Sequence, residues 1–377
     1  MHGRVAFYLP SMGGGGAERA IVTLANGLAR RARPVDLVLV QAQGPYLAEV
    51  DPAVRVIDLR RKRVLTSLFS LARYLRRHKP AALISAMTHA NIVAVAARMI
   101  ARSSTRLLLS ERTSLAGLRG ELGPMRYLGM KTLMRWFYPR ADGVIAVAEA
   151  MASELREMLP IDPDRVMLVH NPVVSDEMLE LSGAAPPHEW LLDAAVPVVL
   201  AVGRLGIEKD YATLIAAFAR VRETRPLRLL ILGEGAERAN LIALAEKLGV
   251  ADDCALPGFC ANPFSAMSRA SLFVLSSRYE GLPNALIQAM ACGARVIATD
   301  CPTGPREILQ DGRWGTLVPI GDSDAMAEAM IETLNQTNFL DVRKRASEFG
   351  VHHAISRIVD VIEQRLEVHV FSEGAVR

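Results

Sequence analysis

Aromatic side chains are scarce in this 377-residue sequence: three Trp, seven Tyr and ten Phe make up 5% of it. Few of them accompany the basic clusters, so the stacking platforms that hold single-stranded nucleic acids are missing, and no nucleic-acid partner is expected. Cysteine is scarcer still. Cys254, Cys260, Cys292 and Cys301 all lie in the second half and no pair has CxxC spacing, which argues against a disulfide framework or a zinc site. Long apolar runs are absent as well. Ala90–Ile100 is interrupted by Arg98 and Ala194–Val202 by Pro197, so no segment is expected to span a bilayer. Val5–Leu9 reads as a strand leading straight into glycines rather than as a secretory leader, and a cytoplasmic location is expected. Two Asp-x-Asp pairs occur. Asp162–Asp164 precedes a strand and Asp322–Asp324 opens a helix, so both read as structural and no metal is expected.

What is abundant is aliphatic: hydrophobic residues reach 51% and charged ones only 22%, as buried parallel strands require. The net charge of +4 conceals a division. Residues 1–140 hold 23 Lys and Arg against 7 Asp and Glu, a net +16, whereas the remainder holds 21 against 33, a net −12. Only the first half is therefore expected to meet an anionic partner. Candidate contacts are Arg60-Arg61-Lys62-Arg63, Arg76-Arg77-His78-Lys79, and Met125–Arg140, where apolar Met125, Leu128, Leu133, Trp136 and Phe137 interleave with Arg126, Lys131, Arg135 and Arg140. The last suits a membrane interface, although an ordinary core helix with solvated charges has the same pattern.

Short apolar runs alternate with helical patterns in the βαβ rhythm of an α/β protein. Strands are expected at Val5–Leu9, Val35–Val40, Ala81–Ser85, Arg106–Leu109, Gly143–Val147 and Val166–Val169. After a pause containing Gly183, Pro186 and Pro187, a second series follows at Val198–Val202, Leu227–Leu232, Cys254–Leu256, Leu272–Leu275, Arg295–Ala298 and Gly315–Val318. Two Rossmann-like domains follow, 1–180 and 190–354. The closing helix, about 355–370, carries Ile355, Ile358, Val359, Ile362 and Leu366 on one face and is expected to return to the first domain.

Ligands in such sheets bind beyond the carboxyl ends of the strands. After the first strand stand Gly13, Gly14, Gly15 and Gly16, then Ala17-Glu18-Arg19. The spacing does not fit a dinucleotide fingerprint, since Glu18 and Arg19 occupy the positions that would need Gly or Ala. Backbone N–H groups there could meet an anion; a flexible turn is the alternative. After the first strand of the second series comes Gly203-Arg204-Leu205-Gly206-Ile207-Glu208-Lys209, whose two cations suit a diphosphate. Then Ser276 to Gly293 places Glu280 just before Pro283, the expected first residue of a helix, with Gln288 two turns on. Glu280 could accept sugar hydroxyls or simply cap the helix.

This last segment resembles the Glu-x7-Glu element of glycosyltransferase family 4 (group 1), the retaining GT-B enzymes of bacterial surface-glycan biosynthesis. The resemblance runs through nearly the whole chain: the glycine loop, Ala141–Val147, His170-Asn171-Pro172-Val173, Gly203-Arg204-Leu205, Leu232-Gly233-Glu234-Gly235, Pro257-Gly258-Phe259 and Thr299–Glu307. It implies two facing Rossmann-like domains with a deep cleft, the first for the acceptor and the second for the donor. Arg204 and Lys209 would hold the donor diphosphate. Glu280 would bind the donor sugar with the backbone of Gly281 and Leu282, Gly258 and Phe259 would meet the base, and the Gly13–Gly16 loop would cover the phosphates or the acceptor. One departure stands out: Gln288 replaces the second Glu, which binds ribose in the family. His89, in Ser85–Asn91 after a strand, is the candidate for the family's functional histidine, against the plainer reading of a structural one. The resemblance implies transfer from a nucleotide diphosphate sugar, UDP-linked by expectation, to a lipid-linked or oligosaccharide acceptor, with no cofactor or metal, at the inner face of the cell membrane. The other functional readings are a GT-B sugar-nucleotide epimerase, which leaves the basic first half unexplained, and a non-catalytic sugar-nucleotide-binding subunit, suggested by Gln288.

Overall fold

The computed structural model describes residues 3–13, 15–192 and 195–372, with side chains described as far as residue 363. The chain divides into two compact units, residues 1–172 together with 351–377, and residues 173–350.

The first unit is built on a seven-stranded parallel sheet of order β3-β2-β1-β4-β5-β6-β7. Its strands are β1 (Val5–Leu9), β2 (Val35–Leu39), β3 (Val54–Asp58), β4 (Ala82–Ala86), β5 (Arg106–Ser110), β6 (Gly143–Ala146) and β7 (Val166–Leu168). Every residue of β1, β2 and β4 is buried, because helices cover both faces of a parallel sheet. Asp36 is the charged exception, in β2 and fully buried. Its carboxylate accepts from Arg55 Nε at 2.9 Å, Arg4 Nη1 at 2.6 Å and the Tyr74 hydroxyl at 2.7 Å, so a charge that could not be buried alone is fully bonded. Burial alone would raise this carboxyl, but Arg55, Tyr74 and Arg4 together outweigh it and hold its pKa below the ordinary value.

The closing helix, Val351–Ser372, belongs to this unit. Ile355, Ile358, Val361 and Ile362 enter the same apolar cluster as Ile21, Leu24 and Leu28 of the Gly16–Arg30 helix. Gly27 permits the approach, since a Cβ there would lie 2.1 Å from Ile355 Cδ1. Arg33 pairs with Glu363, and Arg106 Nη1 donates to the Ile362 carbonyl at 2.9 Å. Leu366 lies beyond the residues whose side chains are described.

The second unit carries a six-stranded parallel sheet, order β10-β9-β8-β11-β12-β13, formed by β8 (Val198–Val202), β9 (Arg228–Leu232), β10 (Cys254–Gly258), β11 (Leu272–Leu275), β12 (Val296–Thr299) and β13 (Thr316–Val318). Strand order reverses between β1 and β4 in the first sheet and between β8 and β11 in the second. These are the switch points at which ligands enter doubly wound sheets.

Two features depart from the sequence reading. Strand β3 was not anticipated: it lies at the sheet edge, and of Val54–Asp58 only Val54 is buried, so it lacks the continuous apolar run of its neighbours. The passage to the second unit falls at residues 172–173, ahead of the Gly- and Pro-rich stretch. The Asp176–Ser182 helix is held in the second unit, where the Leu181 carbonyl accepts from Asn262 Nδ2 at 2.9 Å and the Ser182 carbonyl from Ser268 Oγ at 2.8 Å.

Candidate active site

In the second unit the loops after β8 and β11 converge. Ser276 Oγ donates to the Lys209 carbonyl at 2.6 Å and the Arg278 N–H to the Glu208 carbonyl at 2.8 Å, so the two loops are tied by one side-chain and one backbone donor. Lys209 Nζ then donates to Glu280 Oε1 at 2.6 Å, and Ser277 Oγ to the same oxygen at 2.7 Å. Thr303, from the loop after β12, donates to the Glu280 carbonyl. Both partners of the ion pair are mostly buried, with 19% of the Lys209 side chain and 11% of Glu280 exposed. Tyr211 lies beneath: its phenol is pushed well above the ordinary value, first by burial and then by Glu280 and Glu208. The Cys301 thiol is pushed up to about 12, chiefly by burial and next by Glu280, which leaves it inert.

Arg204 behaves differently. Its side chain is 71% exposed and is held by Glu208, with Nη2 to Oε1 at 2.6 Å. A solvated guanidinium of this kind can exchange a carboxylate for a phosphate at little cost. Gly203 keeps the floor open, since a Cβ there would lie 2.8 Å from Tyr211 Oη.

The Asn284–Ala291 helix begins directly after this loop, with Pro283 at its N-cap rather than in its first turn. Pro283 makes no side-chain capping bond, and the helix start follows the loop that carries Glu280, Gly281 and Leu282. Gly304, at φ +96°, packs against this turn: a Cβ would stand 2.4 Å from Pro283 Cδ. Gln288 is half-buried. At the end of β10, Gly258 has φ +104° and its carbonyl accepts from the Gly233 N–H at 2.8 Å, while Phe259 is 80% exposed.

The remaining sequence candidates lie in the first unit. Gly14 is outside the described residues. Gly13 is exposed, Gly15 is the N-cap of the Gly16–Arg30 helix, and Gly16 is its first residue. The Glu18 carboxylate, three residues into the helix, lies beside this helix start, where a Cβ on Gly15 would stand 2.6 Å from Glu18 Oε2, the spacing of a capping box. Burial raises the Glu18 pKa and Arg112 pulls it down. His89 is the second residue of the Thr88–Ala101 helix. It is exposed, and partial desolvation holds its pKa below the ordinary histidine value. Among the described residues no group of three or more His, Cys, Asp or Glu could hold a metal ion. The Asp pairs have local duties instead, with Asp322 accepting from the N–H groups of Asp324 and Ala325 and Asp162 from that of Asp164.

Known proteins fit this arrangement. The model of the glycosyl transferases group 1 family matches residues 187–352, and that of glycosyltransferase family 4 matches residues 14–177. The chain is a group 1 glycosyltransferase. It acts on a nucleotide-diphosphate sugar in glycan biosynthesis. It is 27% identical over 345 residues, covering 87% of this chain and 89% of its relative, to the N-acetylgalactosamine-N,N'-diacetylbacillosaminyl-diphospho-undecaprenol 4-alpha-N-acetylgalactosaminyltransferase of Campylobacter jejuni. It is 24% identical, covering 93% of this chain and 95% of the other, to a second alpha-1,4-N-acetyl-D-galactosaminyltransferase of that organism, which acts on a PP-undecaprenol-linked glycan. Among solved structures, Anabaena Alr3699/HepE in complex with UDP-glucose superposes with a TM-score of 0.81 at 19% identity, covering 96% of this chain and all of that one. The sucrose-phosphate synthase of Thermosynechococcus elongatus gives 0.81 at 20%, covering 97% and 100%. The glycosyltransferase therefore has the GT-B fold.

Sequence reading placed Lys209 and Glu280 in one site but missed that they bond to each other. It also missed Ser277 and Thr303 as the groups that fix Glu280, and Glu208 as the resting partner of Arg204. Thr303 reaches Glu280 from 23 positions away, whereas Ser277 and Glu208 stand only three and four positions from Glu280 and Arg204 and could have been found from that spacing.

Proposed function

We propose that this glycosyltransferase moves a hexose or N-acetylhexosamine, with retention at the anomeric carbon, from a UDP-sugar to a lipid-linked glycan acceptor at an anionic membrane surface. The observation that carries the reading is the Glu280 carboxylate, fixed by Lys209 and Ser277 at the carboxyl ends of β8 and β11.

In this reading Arg204 leaves Glu208 for the donor diphosphate, and Lys209 neutralises the charge that grows on the leaving phosphate. The start of the Asn284–Ala291 helix adds its dipole. Glu280 accepts hydroxyls of the donor sugar, and the Gln288 amide pairs with the ribose diol. Gly258 and Phe259 meet the base. These cations and dipoles do the work, and no metal is required. The transition state has oxocarbenium character. The acceptor hydroxyl attacks the anomeric carbon from the face of the departing phosphate, which takes up the acceptor proton as the glycosidic bond to the diphosphate breaks. His89 and the Gly13–Gly16 loop face the acceptor. With Glu18 already on that helix end, a hydroxyl suits the loop better than a second phosphate.

The membrane component rests on the Pro124–Phe137 helix. It buries only Met134, while Met125 is 89%, Leu128 65%, Leu133 44% and Trp136 51% exposed. That excludes an ordinary core helix. Leu65 and Phe69 are also exposed, at 72% and 68%, near the Arg60–Arg63 and Arg76–Lys79 clusters in sequence. Apolar side chains interleaved with cations suit the headgroup region of anionic lipid, and the enzyme is peripheral at the inner face of the cell membrane in this reading. Among the described residues no helix is long and apolar enough to cross a membrane.

The test is binding and turnover across UDP- and GDP-sugars, with Glu280→Ala as control. Saturable binding of one UDP-sugar, with turnover lost in the variant, is expected; no binding of any nucleotide sugar overturns the proposal. Gln288→Glu separates a working amide from a degenerate copy, since a large gain in turnover would mean that the native chain is a binding subunit.

A further inference from the structure

At the end of β5, Glu111 is a carboxylate with 2% exposure that takes no part in the chemistry above. Three side chains donate to it. The Thr88 hydroxyl donates to Oε2 at 2.9 Å, Asn91 Nδ2 to Oε1 at 2.9 Å, and the Tyr138 hydroxyl also to Oε1. The preceding residue reinforces the contact, because the Ser110 carbonyl accepts from Asn91 Nδ2 at 3.2 Å and from the Met87 N–H at 3.3 Å. These bonds converge on one turn, Met87 to Asn91, which opens the Thr88–Ala101 helix at the carboxyl end of β4 and carries His89.

The turn is strained. Met87, its N-cap, has φ +81° and ψ 136°, a region that only glycine occupies freely. Such a conformation persists where the surroundings over-determine it. Here they do so on both sides of His89: Thr88 is bonded to one oxygen of Glu111 and Asn91 to the other. A helix start needs none of this, since an ordinary N-cap in the extended region would serve.

We infer that Glu111 is a positioning residue, holding the strained Met87–Asn91 turn so that His89 keeps a fixed place for the acceptor. The inference rests on the reading of His89 as acceptor-facing. Through Tyr138, which directly follows the Pro124–Phe137 helix, the same carboxylate ties the turn to the base of that exposed apolar and basic helix. Glu111 touches no substrate, and its effect on the reaction passes through Thr88 and Asn91.

The test uses Thr88→Val, which keeps the shape and removes one bond to Glu111, and Thr88→Ser, which restores the hydroxyl. Steady-state transfer is measured with the donor selected from the UDP- and GDP-sugar panel, together with donor affinity, thermal unfolding, and the ring 15N resonances of His89 in the free full-length enzyme, assigned with His89→Ala. In Thr88→Val, kcat for transfer should fall about 10²-fold, the loss associated with misplacing a reacting group by an ångström. Donor affinity should be unchanged and the His89 resonances shifted; Thr88→Ser should restore both. A folded Thr88→Val with native kcat, or a loss of kcat with unshifted His89 resonances, overturns the inference. If Thr88→Val fails to fold, Tyr138→Phe releases the opposite oxygen and is held to the same criteria. If no nucleotide sugar supports transfer, the His89 resonances alone decide, so failure of the transferase reading remains distinguishable from failure of this one.

Discussion

Lys209 Nζ and Glu280 Oε1 are 2.6 Å apart although the residues are separated by 71 positions. The pair is largely withdrawn from water, so removing one member strands the charge of the other. Lys209→Met and Glu280→Gln should each lower unfolding stability by about 3 kcal/mol and transfer by about 10²–10³-fold. The double variant should cost less than the sum of the two, because residues in contact are coupled. Strict additivity in thermal unfolding and in kcat would show that the two groups act separately.

Gly304→Ala tests the packing beneath the donor loop. The residue has φ +96°, and a Cβ would press on Pro283 Cδ at 2.4 Å and meet the Gly281 carbonyl at 3.3 Å. Backbone strain alone should cost about 1–3 kcal/mol. Because the displaced atoms belong to Gly281, Leu282 and Pro283, nucleotide-sugar affinity measured by calorimetry should weaken along with the melting temperature. A variant with lowered melting temperature and native affinity would separate this loop from donor binding.

The exposed face of the Pro124–Phe137 helix gives a different signature. Met125→Ser with Leu128→Ser should weaken co-sedimentation with vesicles containing anionic lipid while leaving the melting temperature near that of the native chain, since the two side chains are 89% and 65% exposed. Binding of the native enzyme should fall with added salt and be weak on purely zwitterionic vesicles. Equal binding to both kinds of vesicle would remove the basic clusters from the account.

Asp36 sets an acid limit on the first unit. Its folded pKa lies below the ordinary value of 3.8, so the stabilisation it provides is present above that value and is lost as pH falls through the folded one. Asp36→Asn should therefore be less stable than the native chain at pH 7, with Arg55 and Arg4 left facing a neutral group. The gap should narrow below about pH 4 as the native carboxyl also takes up its proton. Urea unfolding at the two pH values checks this, and a gap that widened on acidification would reverse the sign.

The α/β rhythm was legible because buried parallel strands are short continuous aliphatic runs: Val5–Leu9, Val198–Val202 and Leu272–Leu275 appear in the structure with the limits read from sequence. Strand β3 was not legible, since an exposed edge strand need not be apolar. The ends of the strands marked the loops that carry Arg204, Lys209 and Glu280, because the position of a ligand site follows from the direction of the chain. The sequence could not decide whether Met125–Arg140 was core or surface, as alternating apolar and basic residues satisfy either.

By itself the sequence determined which segments are strands, where the loops that meet ligands fall, and which half of the chain is basic; all of these are properties of neighbouring residues along the chain. Only the tertiary structure decided that Glu280 is held by Lys209, that the Pro124–Phe137 helix leaves its apolar face in water, and that Glu111 bonds to Thr88 and Asn91 on either side of His89. Each of these depends on which side chains are left without water and must find a partner, and that is fixed only when strands distant in sequence are laid side by side.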